Sequence, residues 1–127
     1  MTEKEFRQKF LEAFAKNTTK EQKKEAFRGG DYLWHIFSYG LIPCLEGDAA
    51  SIEFDKANKR GAIAVHYDCG VIHDYKKLGN KSLTAKEVDD SGLVEYYIIG
   101  EDFSWAYVIT HEGGSNGFGL GPYFVKG

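Results

Sequence analysis

The chain is 127 residues long, 43% hydrophobic and 15% aromatic, a length and composition that support one core of ordinary domain size and exclude a disordered polymer. Its formal charge of −3 is unevenly spread: residues 1–28 hold eight Lys/Arg against five Asp/Glu, and the rest of the chain holds eight against fourteen. Such an acidic body argues against a nucleic-acid partner, whose phosphates need clustered Lys and Arg, and no apolar run approaches the roughly 18 residues that span a bilayer.

The first ten residues, MTEKEFRQKF, carry acids and bases where a secretory leader would carry an apolar segment, so a cytoplasmic protein without a membrane partner is expected. In TEKEFRQKFLEAFAKN, Phe6, Phe10, Leu11 and Phe14 recur at helical spacing, which predicts a first helix with an aromatic stripe facing a core. Thr18 or Thr19 then caps KEQKKEAF, with Glu21 or Gln22 as capping-box partner and Gly29-Gly30 as the stop, giving a short basic helix. DYLWHIFSYG spaces Leu33, Trp34 and Phe37 for a third helix over about residues 31–38, opened by Asp31 and stopped by Gly40. Trp34 and Phe37 are expected as core anchors. His35 is expected as a packed or half-exposed histidine, since no second ligand-type residue stands one turn away.

From residue 51 the period changes to two. SIEF predicts a strand with Ile52 and Phe54 inward and Glu53 and Asp55 outward, turning through Asn58 to Gly61 and returning over 62–68 as a hairpin. SLTAKEVDDSG predicts a short helix capped by Ser82 or Thr84. LVEYYIIGEDFSWAYVITHE predicts two strands joined at Gly100-Glu101-Asp102. PYFVK supplies a last strand, with Pro122 at its start where a missing N–H is tolerated. Helices first, then an antiparallel sheet of about five strands with one inserted helix, make an α+β class in a single domain over residues 1–127.

On a strand through 103–112, Phe103, Trp105, Tyr107, Ile109 and His111 share one face, and Ser104, Ala106, Val108, Thr110 and Glu112 share the other. His111 and Glu112, neighbours of the types used for acid–base chemistry, therefore diverge. His66 and His73 flank Asp68 and Cys69 without the spacing of a recognised zinc or iron site. Cys44 and Cys69 form no C-x-x-C pair, and both are expected as buried or idle thiols. Gly117, Gly119 and Gly121 make a G-x-G-x-G, but a phosphate cradle needs a helix to follow, and Pro122 and a strand follow instead. No catalytic set, metal site or cofactor is expected. The segment ahead of Pro122 is expected as a surface loop, with Phe118 and Leu120 free to fold back or stay exposed.

The acidic residues Asp48, Glu53, Asp55, Asp68, Asp74, Glu101 and Asp102 fall at expected turns or outward strand positions, so they can be presented without burying unpaired charge. They are the candidate contacts for a basic protein partner. Asp55, Glu101 and Asp102 are favoured because hairpin ends project, and Phe118 and Leu120 form the alternative surface.

The segments LWHIFSYG, GDAA, DFSWAYVITHE and GPYF resemble a group of small bacterial proteins related to the immunity proteins of toxin systems, contact-dependent growth inhibition among them. The likeness covers the third helix and the C-terminal half. It implies a protein that binds one cognate toxin domain, often a basic nuclease, and blocks it stoichiometrically, a role without catalytic residues. The basic N-terminal section would then lie on the far side from the toxin. Two alternatives stay open: a small enzyme using His111 with Glu112 or His66 with Asp68, and a non-catalytic ligand-binding domain.

Overall fold

The computed structural model describes residues 1–28, 32–79, 82–111 and 121–127. The first helix, α1 (Glu3–Phe14), starts where Thr2 accepts the Glu5 N–H, and it buries Phe6, Phe10, Leu11 and Phe14. The second, α2 (Lys20–Ala26), opens on a full capping box between Thr19 and Gln22. The third, α3, is shorter than expected, a single turn over His35–Ser38, with Gly40 at φ 69 just beyond it as the stop. The expected Asp31 cap and Gly29-Gly30 stop lie outside the described residues. Trp34 and Phe37 are core residues as expected, and His35 is packed, its Nδ1 donating to the Ala26 carbonyl at 2.7 Å.

The first half of the expected hairpin is a helix. After a two-residue strand β1 (Leu45–Glu46), the chain forms α4 (Asp48–Lys56), burying Ala50 and Phe54 one turn apart. Ile52, expected inward, is 55% exposed. Four residues of alternation are too few to separate the two periods, and three longer-range features favour the helix. Ala49 and Ala50 are strong helix formers, Asp48 and Lys56 suit the two helix ends, and the Lys59 amine reaches back to the Phe54 carbonyl and, at 3.1 Å, to that of Ala57.

The true hairpin lies one strand later. Strand β2 (Ile63–Asp68) turns at Cys69-Gly70 into β3 (Val71–Lys77), a segment to which sequence spacing assigns no element. The remaining elements match expectation in type and order, α5 (Ala85–Asp90) with a Thr84–Glu87 capping box, β4 (Tyr96–Ile99), β5 (Trp105–Ile109) and β6 (Tyr123–Lys126), although β5 is shorter than the expected 103–112. A 3₁₀ turn at Glu101–Phe103 joins β4 to β5. Among the described residues the antiparallel sheet therefore has six strands rather than about five, in the order β1-β6-β5-β4-β2-β3, and two helices rather than one interrupt the strand sequence.

Alternate side chains of the same strands enter two separate cores. Val65, Tyr97, Val108 and Tyr123 pack against α1 and α3. Their strand neighbours Ala64, Ile98, Tyr107 and Phe124 pack against α4 and α5. The sheet is thus a middle layer between two helical layers. Both faces being covered explains why β4 and β5 read as nearly continuous apolar runs. Among the described residues no strand pairs beyond β3, and α1 meets that edge: the Glu3 carboxylate accepts the Ile72 N–H at 3.2 Å.

Candidate functional site

Two places in this frame gather chemistry. The first is the end of the sheet where β2 leaves and β4 enters. Glu95 is only 4% exposed, and a buried carboxylate is tolerated only when donors surround it. Trp34 Nε1 donates to it at 2.6 Å, the His111 backbone N–H at 3.1 Å, and His111 Nδ1 at 2.5 Å. Glu95 sits at φ 55, in the left-handed region, and so does Cys69 at φ 48 in the neighbouring β2–β3 turn. Tyr32 joins the two residues: its hydroxyl hydrogen-bonds the Cys69 thiol, and its ring lies 5.3 Å from the His111 ring. That hydrogen bond, with burial and the nearby Cys69, Asp68 and Glu95, pushes the Tyr32 hydroxyl up to about 12.

His111 consequently does not continue the row of Trp105, Tyr107 and Ile109. The strand ends at Ile109, and the ring turns to Trp34 and Glu95 on the α3 side. Phe103 leaves the same row at the other end, where φ 54 at Asp102 and φ 56 at Phe103 turn its ring onto Phe6 and Phe14. The carboxylate partner of His111 is Glu95. Glu112 lies outside the described residues. His66 pairs in register with Asp74, and its ring stands 5.1 Å from His73. Among the described residues, no group of three or more His, Cys, Asp or Glu could hold a metal ion.

The second place is the outer surface of α4 and α5. These helices touch, and Asp55 Oδ1 accepts the Ala85 N–H at the start of α5 at 2.8 Å. Together they carry six carboxylates against two lysines. Asp48, Ile52 and Asp55 follow one helical face, all exposed, so an apolar side chain stands inside an acidic rim. Glu53 is half-buried and faces Lys126 at 3.6 Å. Behind the helix end, a cleft of about 360 Å³ is lined by Asp55, Asn58, Lys59, Arg60, Ser82 and Thr84. Burial holds the Lys59 amine below its ordinary range, against the opposing pull of Asp55.

The expected contact residues therefore scatter. Asp48, Glu53 and Asp55 share α4, as helix residues rather than as turn or strand positions. Glu101 and Asp102 sit at the β4–β5 turn, Asp68 at the opposite end of the sheet, and Asp74 on the edge strand. Phe118 and Leu120 lie outside the described residues. Ile52, Glu95 and Lys59 were missed as site residues. Only Glu95 left a mark in the sequence, a single acid opening an otherwise apolar strand. Cys44 and Cys69 are free thiols, the first half-buried with its thiol pushed up to about 11 by burial, the second exposed.

No helix among the described residues is long and apolar enough to cross a membrane. No curated protein and no solved structure matches the chain. One family model does, over residues 2–124, nearly the whole sequence, and the chain accordingly belongs to the family described as a domain of unknown function, DUF4275.

Proposed function

We propose that this chain is a stoichiometric inhibitor, an immunity protein that binds a basic toxin domain through the outer surface of α4 and α5. The observation that carries this reading is Ile52, 55% exposed on α4 between Asp48 and Asp55, with Asp89 and Asp90 on the adjoining α5. Apolar anchors inside a charged rim are the arrangement by which interfaces gain affinity from the centre and association rate from the periphery. The basic residues of α1 and α2 belong to the opposite layer, so they do not oppose the approach of a cationic partner.

The test is titration of the purified chain with the toxin domain encoded beside its gene. Wild type should bind one to one, with an association rate that falls as salt rises. Ile52→Lys should weaken binding by at least tenfold while the melting temperature stays unchanged. Absence of binding by wild type to any neighbouring gene product would sink the proposal. Full retention of affinity by a combined Asp48→Lys, Ile52→Lys, Asp90→Lys variant would move the interface off α4.

A catalytic role is favoured by one observation, the Glu95–His111 contact, because a carboxylate on Nδ1 leaves Nε2 as the basic nitrogen of the neutral ring. Under that alternative His111→Ala abolishes the biological activity of a folded protein, whereas inhibition through α4 leaves it within a few-fold.

A further inference from the structure

The two helical layers carry opposite charge and lie on opposite faces of one sheet. The outer surface of α4 and α5 is acidic. The α1–α2 layer is basic, with eight Lys/Arg against five Asp/Glu over residues 1–28. On that layer a shallow cleft of about 480 Å³ is lined by Arg7, Lys20, Lys23, Lys24, Phe27 and Arg28. Phe27 is half-buried with the Arg7 guanidinium 4.8 Å above its ring. The cleft thus has an aromatic floor and a cationic rim, and the surface of α4 has an apolar knob, Ile52, and an anionic rim. The two are complementary in charge and in apolar character, and they cannot meet within one molecule because the sheet separates them.

We propose that copies of this chain associate head to tail, the α4–α5 surface of one seating on the α1–α2 cleft of the next with Ile52 against the exposed edge of Phe27, beside Arg7. A two-fold dimer formed by either layer alone would set like charges face to face, so the contact is heterologous, and it repeats in an open or ring-closed chain. A nucleic acid could satisfy the basic cleft, yet it would leave Ile52 and the acidic rim uncovered, whereas a second copy covers both surfaces at once. Where the inhibitor reading of α4 also holds, self-association covers the toxin-binding surface, and a basic toxin competes with the next copy for it.

The experiment is sedimentation velocity on the purified full chain without any partner, so its outcome is independent of whether a toxin is ever found. Wild type should shift to larger species with rising concentration at about 10 mM salt, where the Debye length is about 30 Å, and return to monomer at about 1 M, where it is about 3 Å. A basic-face variant, Lys20→Glu/Lys23→Glu/Lys24→Glu, and an acidic-face variant, Asp48→Lys/Asp89→Lys/Asp90→Lys, should each stay monomeric alone. Circular dichroism and melting temperature serve as folding controls. Mixed together, the two variants present one acidic surface to one basic surface again, and association should return. Failure of the mixture to associate, or a wild type that stays monomeric at low salt and high concentration, overturns the proposal. So does a wild type whose assembly survives both reversals. If the basic-face variant proves unfolded, Ile52→Lys, at a position 55% exposed, gives the same decision by losing association at least tenfold.

Discussion

The two helical layers fill the space against one sheet in opposite ways. On the α1–α3 side the bulk comes from the helices: Phe6, Phe10, Phe14, Trp34 and Phe37 press onto Val65, Ile99, Ala106, Val108 and Val125, with Tyr67, Tyr97 and Tyr123 among them. On the α4–α5 side the bulk comes mostly from the strands. Tyr96, Trp105, Tyr107 and Phe124 stand up from the sheet, and the helices meet them with Ala50, Ala85, Val88 and a single ring, Phe54, stacked on Tyr107 at 4.2 Å and 9°. Small residues let α4 and α5 ride on large strand side chains, so little of their sequence is committed to packing. Their outward positions are correspondingly free to carry acids and an exposed isoleucine.

This contrast breaks most visibly by deletion on one side and by addition on the other. Phe10 is fully buried and makes ring contacts with Phe6, Phe14, Phe37 and Tyr97. Phe10→Ala should cost about 3–5 kcal/mol in urea-unfolding free energy, enough to unfold a marginal domain of this size. Ala50 is fully buried where α4 rides on the strand aromatics. Ala50→Leu should cost about 1–3 kcal/mol by overpacking, and a neutral result would mean that α4 can lift away from the sheet. Ile52→Ala on the same helix should leave stability within about 0.5 kcal/mol.

A smaller effect tests the junction at the end of the sheet. The Tyr32 hydroxyl is pushed up to about 12, chiefly by its bond to Cys69. A group whose folded value is raised contributes stability that is complete below the unfolded value of about 10 and lost as pH climbs through the folded one. Between pH 10 and about 12, wild type should therefore lose more stability than Tyr32→Phe. Chemical melts of both proteins across that window read the difference, and parallel curves would show the Tyr32–Cys69 bond to be energetically idle.

Sequence spacing revealed the parts of the molecule whose causes are local. The α1 stripe, the Thr19–Gln22 and Thr84–Glu87 capping boxes and the β4–β5 connection each depend on residues a few positions apart. The α4 helix was misread because its inward set is only Ala50 and Phe54, while Ile52 and Phe54 imitate a strand over four residues. Strand β3 carries no sequence signal because six of its seven residues are exposed and its register shifts opposite His66/Tyr67, which removes the alternation that marks a half-buried strand. The Glu95 site was out of reach for a different reason. Its donors Trp34 and His111 lie 61 and 16 residues away, and nothing in an apolar strand preceded by one acid announces which distant rings will close over it.

The contact between Glu3 and Ile72 bears on how the protein behaves when damaged or acidified. Strand β3 is seven residues long and forms one margin of the sheet, and an uncovered margin is a template onto which another chain can polymerise. Lys76 and Lys77 discourage this at one end, and at the other the Glu3 carboxylate occupies the Ile72 amide. Backbone N–H groups, its own first and then that of Ile72, hold the Glu3 carboxyl below its usual range. The bond is therefore complete above the ordinary glutamate value and fails as pH falls through the depressed one. Proteolytic trimming of the first few residues, or acid strong enough to protonate the depressed carboxyl, removes the same guard by two routes. Both should shorten the lag before fibrils bind thioflavin, and Glu3→Ala, which leaves the Ile72 N–H without its side-chain acceptor, should do so at neutral pH while leaving the melting temperature almost unchanged.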